Sequence, residues 1–172
     1  TLFSGAYLAG EKEQEKYYAL LVALVGIIAG LGMTNDLFNL WVWFEAMSIS
    51  TYFLVAFYRK QPRSLEAGIK YLVQSAIGSA MILLAIGLVL ANTGTLNLEL
   101  IRQIGTKSPM LLIAGALFIL GFGVKSALVP MHTWLPDAHS VAPSGISAML
   151  SGVIIEAGLI AMLRALSALG LM

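Results

Sequence analysis

Three charged side chains interrupt long apolar runs, and they are the residues of this sequence best suited to chemistry. Glu45 lies in "LWVWFEAMSIS", Lys125 in "GFGVKSALVP" and Glu156 in "SGVIIEAGLIA". An ionisable group in the middle of a bilayer costs about 2.5 to 3.5 kcal/mol, and such groups usually mark ion paths. The three residues therefore predict a proton relay. The alternative is that they form buried ion pairs that only lock helices together.

Two histidines follow the lysine in "VPMHTWLPDAH". The unperturbed pKa of histidine lies close to neutrality, so His132 is a candidate member of the relay and His139 a weaker one. A structural, hydrogen-bonded histidine remains the alternative for each. The spacing H-x6-H, with no cysteine and no clustered carboxylates beside it, has no recognised ligand geometry. We therefore expect no metal site.

The backbone around the lysine is unusual for a membrane helix. Gly121 and Gly123 precede Lys125, and Pro130 follows five residues after it. Proline removes a backbone donor and clashes with the preceding turn, which predicts a helix interrupted near Lys125–Pro130. Non-helical backbone at membrane depth persists only where protein buries it or where it lines a water-filled cavity. The lysine is thus predicted to lie beside a route for water.

The composition requires a membrane to position these groups. The 172 residues are 59% hydrophobic and 11% charged, with a mean hydropathy of +0.87. A soluble domain of this size carries more charge. Apolar windows of about 20 residues, the length that crosses a bilayer, recur along the chain. They predict an all-α polytopic membrane helical bundle of about five transmembrane helices, at 17–33, 37–58, 71–91, 110–130 and 143–163, after a short apolar end at 1–9.

Other features narrow the partners and the extent of the protein. The chain has no cysteine and a formal net charge of +1, so we expect no thiol chemistry, no cofactor in this chain and no nucleic acid partner. The sequence begins without methionine and stops directly after its last apolar window. We therefore expect a fragment of a larger bundle, with 1–172 as part of one transmembrane domain.

Loop charges predict the orientation. Basic residues concentrate on the cytoplasmic side of membrane proteins. The connection at 59–70, "RKQPRSLEAGIK", is the densest basic cluster, so we expect it to be cytoplasmic and 34–36 and 92–109 to face the other side. The basic residues on the predicted cytoplasmic side are Lys12, Lys16, Arg59, Lys60, Arg63 and Lys70, and those on the other side are Arg102, Lys107 and Arg164.

Two stretches resemble a known family. "VKSALVPMHTWLPDAHSVAPSGISAMLSGVIIEAGLIAMLR" closely resembles the proton-antiporter-like membrane subunits of respiratory complex I (NADH-quinone oxidoreductase), of membrane-bound hydrogenases and of Mrp-type sodium/proton antiporters. "NDLFNLWVWFEAMSISTYFLVAF" resembles the family's helix with its membrane glutamate. The resemblance covers nearly the whole chain and corresponds to helices four to eight of roughly fourteen.

The resemblance implies roles for individual residues. Glu45 matches the glutamate of the family's fifth helix, Lys125 the lysine of its broken seventh helix, and His132 the histidine that follows. Glu156 departs from the pattern, because the family often has lysine at this position. The implied function is proton translocation in a complex I-like oxidoreductase in a prokaryotic inner (plasma) membrane. Other membrane subunits would be partners, and electron transfer would lie in partner subunits.

Two other functions remain open. A Mrp-type antiporter subunit would exchange sodium for protons, and carboxylates in the path suit a hard cation as well as a proton. A non-transporting membrane scaffold would only pack helices or bind lipid. The small residues of "QSAIGSA" suit close helix contact. Four aromatic residues would then serve as interfacial anchors, namely Trp41, Trp43, Tyr17 and Tyr18.

Overall fold

The computed structural model describes Gly5 and residues 13–58, 60–105 and 108–172, and the regular elements within these ranges are helices. In chain order they are α1 (Gln14–Met33), α2 (Leu37–Val55), α3 (Pro62–Thr93), α4 (Leu98–Ile104), α5 (Pro109–Lys125), α6 (Trp134–Val141), α7 (Ser144–Met149) and α8 (Ile155–Ala168). A π-helical turn at Leu150–Ile154 joins α7 to α8, so Ser144–Ala168 is one continuous helix.

The predicted all-α membrane bundle is confirmed, but the count of five helices is wrong. Among the described residues, α1, α3 and Ser144–Ala168 are long and apolar enough to cross a membrane, and α5 is a shorter apolar helix. The described ranges contain seven helices when Ser144–Ala168 counts as one. The two extra helices, α4 and α6, lie in stretches predicted as loops. They are too short and too polar to register in a window of membrane-spanning length.

The connection predicted at 59–70 is shorter than expected. The helix α3 begins at Pro62 and not near 71. Proline suits the first turn of a helix because its fixed φ is helical and its missing N–H would have no partner there. Apart from Gly5, the apolar end predicted at 1–9 lies outside the described residues, as do Lys12, Arg59 and Lys107.

The loops predicted to share the side opposite 59–70 lie next to each other. The Leu37 N–H donates to the Leu96 carbonyl at 2.9 Å, and the Leu98 N–H donates to the Asn35 carbonyl at 3.0 Å. Asn35 and Leu37 flank Asp36, which caps the N-terminus of α2 by accepting two backbone N–H bonds. The two loops therefore belong to one end of the bundle. Which end faces the cytoplasm stays a prediction.

The interruption after Lys125 is confirmed. Ala127 has a φ of 51°, and the Leu128 N–H donates to the Gly123 carbonyl at 2.9 Å. The Ala127 N–H donates to the Val124 carbonyl at 3.3 Å, which completes a Schellman motif, a common helix ending. The Trp134 indole N–H also donates to the Val124 carbonyl, at 2.7 Å. These bonds give the carbonyls released by the break new partners inside the protein.

The central helix α3 packs against α2, α5 and α6. Glycines allow α3 and α5 to approach closely: a Cβ added at Gly78 would lie 2.8 Å from the Gly121 carbonyl oxygen, and one added at Gly121 would lie 2.6 Å from the Gly78 carbonyl oxygen. Small residues at a helix crossing are the usual means of close packing in membranes. The rings of Phe44 on α2 and Phe122 on α5 meet edge to face, 5.0 Å apart. This packing brings residues of α2 and α3 to the end of α5.

Arg164 ties α8 to the end of α1. Its guanidinium donates to the carbonyls of Leu31 at 2.9 Å and Gly32 at 3.3 Å, and also to the carbonyl of Thr34. The last carbonyls of a helix lack partners within the helix, and a cation there interacts favourably with the helix dipole. Arg164 therefore has a structural role at this end of the bundle.

Candidate functional site

Lys125 is enclosed by the helices of this chain. Only 1% of its surface is exposed, although it is the last residue of α5 and lies at the break. Its ammonium donates a hydrogen bond of 2.9 Å to Thr51 Oγ1 on α2 and another to the Tyr71 hydroxyl on α3. The lysine nitrogen thus has two neutral hydroxyl partners, one from each neighbouring helix.

An aromatic pair holds Tyr71 in place. The rings of Tyr71 and Trp134 stack with their centroids 4.0 Å apart and their planes 8° from parallel. The nitrogen of Lys125 lies 4.6 Å from the centroid of the Tyr71 ring, within the range of a cation–π interaction. Because Trp134 also bonds the Val124 carbonyl, the same indole supports both the helix break and the tyrosine.

Thr51 presents an acceptor to this site. Its hydroxyl is placed to donate to the carbonyls of Met47 at 2.8 Å and Ser48 at 2.9 Å, one turn earlier in α2. A hydroxyl has one hydrogen and two lone pairs. The Thr51 oxygen therefore accepts from Lys125, and it accepts from the Tyr71 hydroxyl across 3.0 Å.

A glycine on α8 leaves room for the aliphatic stem of the lysine. A Cβ added at Gly158 would lie 3.3 Å from both Cβ and Cγ of Lys125, and 3.0 Å from the hydroxyl oxygen of Ser126. These distances are tighter than ordinary van der Waals contacts. The helix α8 therefore closes the site with backbone and no side chain.

Glu45 enters the same interior from α2 but has its own partner. The Ser79 hydroxyl donates to Glu45 Oε2 at 2.5 Å, and the Trp41 indole N–H donates to Ser79 Oγ at 2.9 Å. Glu45 is half-buried, and its charge acts on Lys125 through space. Within the described parts of the chain, no ion pair of 4.0 Å or less joins the two residues. The structure therefore brings Glu45 and Lys125 into one region without direct contact.

The two histidines differ in their surroundings. His139 Nδ1 lies 2.5 Å from Ser147 Oγ, which links α6 to α7. His132 lies in the irregular segment between α5 and α6, and its Nδ1 is buried with no hydrogen-bond partner among the described residues. His139 is held in the manner of a structural histidine, whereas His132 keeps a ring nitrogen available.

Glu156 is not brought into the Lys125 site. It is exposed at the start of α8, directly after the π-helical turn, whereas its neighbours Ala157 and Gly158 are buried. Within residues 13–58, 60–105 and 108–172, no hydrogen bond or ion pair of its carboxylate is found. The α8 helix thus presents its acidic side chain outward and its glycine to the lysine.

Polar contacts fasten α6 to α3 near the break. Lys70 bonds Glu66 at 2.8 Å on its own helix and Asp137 at 2.9 Å on α6. The Gln74 amide donates to the Thr133 hydroxyl at 2.6 Å. A cleft of about 280 Å³ opens here between α3 and α6. Its polar lining comes from Arg63, Glu66, Lys70, Asp137 and Ser140. Among the described residues, no group of three or more His, Cys, Asp or Glu side chains could hold a metal ion.

Sequence reasoning missed the neutral residues that surround the charges: Thr51, Tyr71, Ser79 and Trp134. A signal was present in α3, where Tyr71, Ser75, Gly78 and Ser79 are all buried and recur at helical spacing. Such a stripe of small and hydroxyl residues indicates the face that other helices cover. Trp41, an interfacial anchor under the scaffold alternative, donates its indole N–H to Ser79 on the neighbouring helix. Tyr17 is likewise buried.

Comparisons with known proteins agree with this architecture. Residues 34–171 match the family described as "NADH:quinone oxidoreductase/Mrp antiporter, TM". The chain is 35% identical over 170 residues to NADH-quinone oxidoreductase subunit N of Desulforudis audaxviator, covering 96% of this chain and 34% of that protein. It is 31% identical over 166 residues to a Na(+)/H(+) antiporter subunit of Bacillus subtilis, covering 95% of this chain and 34% of that protein.

A solved structure shows the same arrangement of helices. A chain of the membrane-bound sulfane sulfur reductase, an archaeal respiratory membrane complex, superposes with a TM-score of 0.87 at 36% identity, covering 95% of this chain and 34% of that one. The present chain therefore spans about a third of the length of the curated relatives it matches.

Proposed function

Since the chain belongs to the NADH:quinone oxidoreductase/Mrp antiporter family of transmembrane subunits, we propose that it forms part of a proton-translocating membrane subunit of a complex I-like oxidoreductase. Residues 1–172 would be part of one antiporter-like transmembrane domain. The relay would consist of Glu45, Lys125, His132 and Glu156, with His139 as a weaker member.

The observation that carries the proposal is the enclosure of Lys125. A buried ammonium is stabilised best by a carboxylate in contact, and leaving one without such a partner is costly. Here the nitrogen has two hydroxyl partners, while Glu45 is bonded to Ser79. This arrangement suits a lysine that gives up its proton. A lysine that only held helices together would be expected to form an ion pair with Glu45.

The mechanism is a pair that opens and closes. In the closed state Lys125 contacts Glu45 and remains charged. In the open state, to which we assign the hydroxyl partners of Lys125, the lysine leaves the glutamate and releases its proton to water at the interrupted helix. His132 or Glu156 would pass the proton on. We propose no cofactor in this chain, so electron transfer would occur in partner subunits, coupled to the relay by conformational or electrostatic change.

A second candidate is a sodium/proton antiporter subunit, which the likeness to the antiporter protein of Bacillus subtilis supports. Purification of the native complex separates the two, because iron–sulfur or flavin subunits accompany the oxidoreductase and are absent from an antiporter. In either case the membrane would be a prokaryotic plasma membrane, with the connection at 59–70 on the cytoplasmic side.

The test replaces Lys125 with methionine in the full-length protein, within its assembled complex. Proton uptake into reconstituted vesicles is followed with an internal pH dye, and assembly is checked by co-purification. We expect transport to fall at least about a hundredfold, because no other group in the site carries the lysine's proton. The matched control is Lys16→Met, which removes a lysine whose side chain is 67% exposed and should leave transport unchanged. Transport at the wild-type rate by an assembled Lys125→Met complex would favour the scaffold.

A further inference from the structure

We propose that Thr51 and Tyr71 form a hydroxyl dock, the place where Lys125 resides while it loses and regains its proton, and that Tyr71 bonds the neutral amine. The inference rests on the proposed function, since it takes Lys125 to be a proton carrier. It assigns a role to two residues that carry no charge, and it gives each of them a different one.

Thr51 and Tyr71 differ in where their hydroxyl hydrogens can point. The Thr51 hydrogen is directed at the Met47 and Ser48 carbonyls, at 2.8 Å and 2.9 Å, so Thr51 can only accept from the lysine. The Tyr71 hydroxyl has no carbonyl partner among its described contacts. Its hydrogen can therefore point either to Thr51 or to the lysine nitrogen.

Both protonation states of Lys125 can form two hydrogen bonds in the dock. The ammonium donates to Thr51 and Tyr71, and the Tyr71 hydrogen then goes to Thr51. When an N–H bond of the ammonium breaks, the proton passes to water at the interrupted helix and the electron pair stays on nitrogen. The Tyr71 hydrogen then turns to that lone pair, while a remaining N–H still donates to Thr51. Tyr71 keeps its own proton throughout, and the lysine nitrogen keeps a hydrogen bond with each of the two hydroxyls in both states.

A carboxylate cannot hydrogen-bond both protonation states of the lysine. Ionised Glu45 only accepts hydrogen bonds, so contact with it favours the ammonium and offers nothing to the amine lone pair. The hydroxyl dock and the glutamate are therefore two different stations for one side chain. The first accommodates the neutral and the charged lysine, and the second holds the charged one.

Among the groups that surround Lys125, Tyr71 is the one placed to donate a hydrogen bond to the neutral amine. The helix α2 contributes Glu45 at a distance, α8 contributes Gly158 while Glu156 is exposed, and α6 contributes the Trp134 ring. The other ionisable groups nearby have separate positions or partners: Asp137 pairs with Lys70, His139 bonds Ser147, and His132 lies beyond the break. Among the described residues, only Thr51 and Tyr71 hydrogen-bond the lysine nitrogen.

The test measures proton transport against pH for Tyr71→Phe in the full-length protein within its complex. Phenylalanine keeps the surface that stacks on Trp134, but it removes both the acceptor of the ammonium and the donor to the amine. The bond from the ammonium is charge-assisted and the stronger of the two, so we expect the rising limb of the pH profile to move downward by about half a unit, because the lost bond to the amine offsets part of the loss in the charged state. Ser64→Ala is the control: it removes a buried hydroxyl of α3 that bonds the Val55 carbonyl, and it should not move the profile.

Thr51→Val provides a second variant with a larger expected shift. Both lysine states lose their bond to Thr51, but only the charged state also loses the acceptor for the Tyr71 hydrogen. We therefore expect the profile to move downward by about twice the shift of Tyr71→Phe, and Thr51→Ser to restore it. A shift in Tyr71→Phe as large as that in Thr51→Val, or an unchanged profile in either variant, overturns the dock, because a tyrosine that only accepts from the ammonium loses nothing in the neutral state. If Lys125→Met abolishes transport while these profiles stay fixed, the dock alone fails; if Lys125→Met transports normally, the proposed function fails with it.

Discussion

Lys125 and Glu156 lie on packed helices, yet their surroundings are opposite. The lysine is 1% exposed, has hydroxyl partners from α2 and α3, and has Gly158 of α8 against its stem. Glu156 is two residues before that glycine and is exposed. Two ionisable groups placed deep in apolar segments can thus differ in what holds them. Residues of this chain enclose the lysine, whereas the glutamate faces outward from α8. Changes around Lys125 should therefore affect both folding and transport. Changes at Glu156 should affect transport alone.

The largest expected effect comes from closing the space beside the lysine. Gly158→Leu places a branched side chain where a single Cβ would already lie 3.3 Å from the Lys125 stem. Overpacking of this kind costs about 1 to 3 kcal/mol, so the midpoint of thermal unfolding should fall and transport should be lost. Gly152→Leu is the matched control, because a Cβ there meets nothing within 4 Å. Equal effects of the two substitutions would contradict the tight packing of α8 against Lys125.

The second-largest effect is expected from removing the charges of Glu45 and Lys125. Glu45→Gln and Lys125→Met should each reduce transport, and the double variant should lose less stability than the sum of the two. Removing one charge leaves the other alone in a low-dielectric region, which costs more than removing both. We expect a coupling of about 1 kcal/mol in a double-mutant cycle on thermal stability. Strictly additive losses would count against an interaction between these residues.

At Glu156 we expect a loss of transport without a loss of stability. Glu156→Gln keeps the shape and the hydrogen-bonding capacity of the side chain but cannot exchange a proton. Proton uptake should fall roughly tenfold while the unfolding temperature stays unchanged, because this residue is exposed. Glu156→Lys should partly restore uptake, since it supplies the charge that the family often has there. If the glutamine variant transports normally at every pH tested, Glu156 is not in the relay.

The smallest effect concerns the backbone at the end of α5. Ala127 has a φ of 51°, a conformation that costs an alanine about 1 to 2 kcal/mol and a glycine almost nothing. Ala127→Gly should therefore raise the free energy of unfolding by roughly 1 kcal/mol and leave transport unchanged, because no charge is altered. Ala142→Gly, at an ordinary φ of −65°, should give no gain. A gain in both variants would mean that the effect is unrelated to the strained helix ending.

The sequence predicts the parts of this protein that follow from composition and from single residues. The apolar windows indicate the long helices, and Pro130 together with the preceding glycines indicates the break, because a proline in a helix interior removes a backbone donor and clashes with the preceding turn. The short helices α4 and α6 are not predicted, because neither has membrane-spanning length.

The surroundings of the charges are not predictable in the same way. Whether Glu156 or Gly158 faces Lys125 depends on the rotation of α8. A signal for that rotation was present, because Glu156, Arg164 and Ser167 lie on one side of the helix and Gly158 lies on the buried side. The hydropathy of a whole window does not record this difference between faces. Tyr71 and Lys125 are far apart in the sequence, and their contact depends on the close crossing of α3 and α5 at Gly78 and Gly121. Such contacts are set by packing between helices, which hydropathy does not record.

The most direct test of the central claim, that Lys125 exchanges a proton and does not merely supply a charge, is the proton uptake of Lys125→Arg in the assembled complex. Arginine keeps the positive charge and the capacity to donate to Thr51 and Tyr71, but it does not deprotonate in proteins. If the charge only holds helices together, arginine should serve nearly as well as lysine. We predict an assembled complex whose proton uptake is reduced at least about a hundredfold, as in Lys125→Met. Uptake near the wild-type rate in the arginine variant would contradict the account.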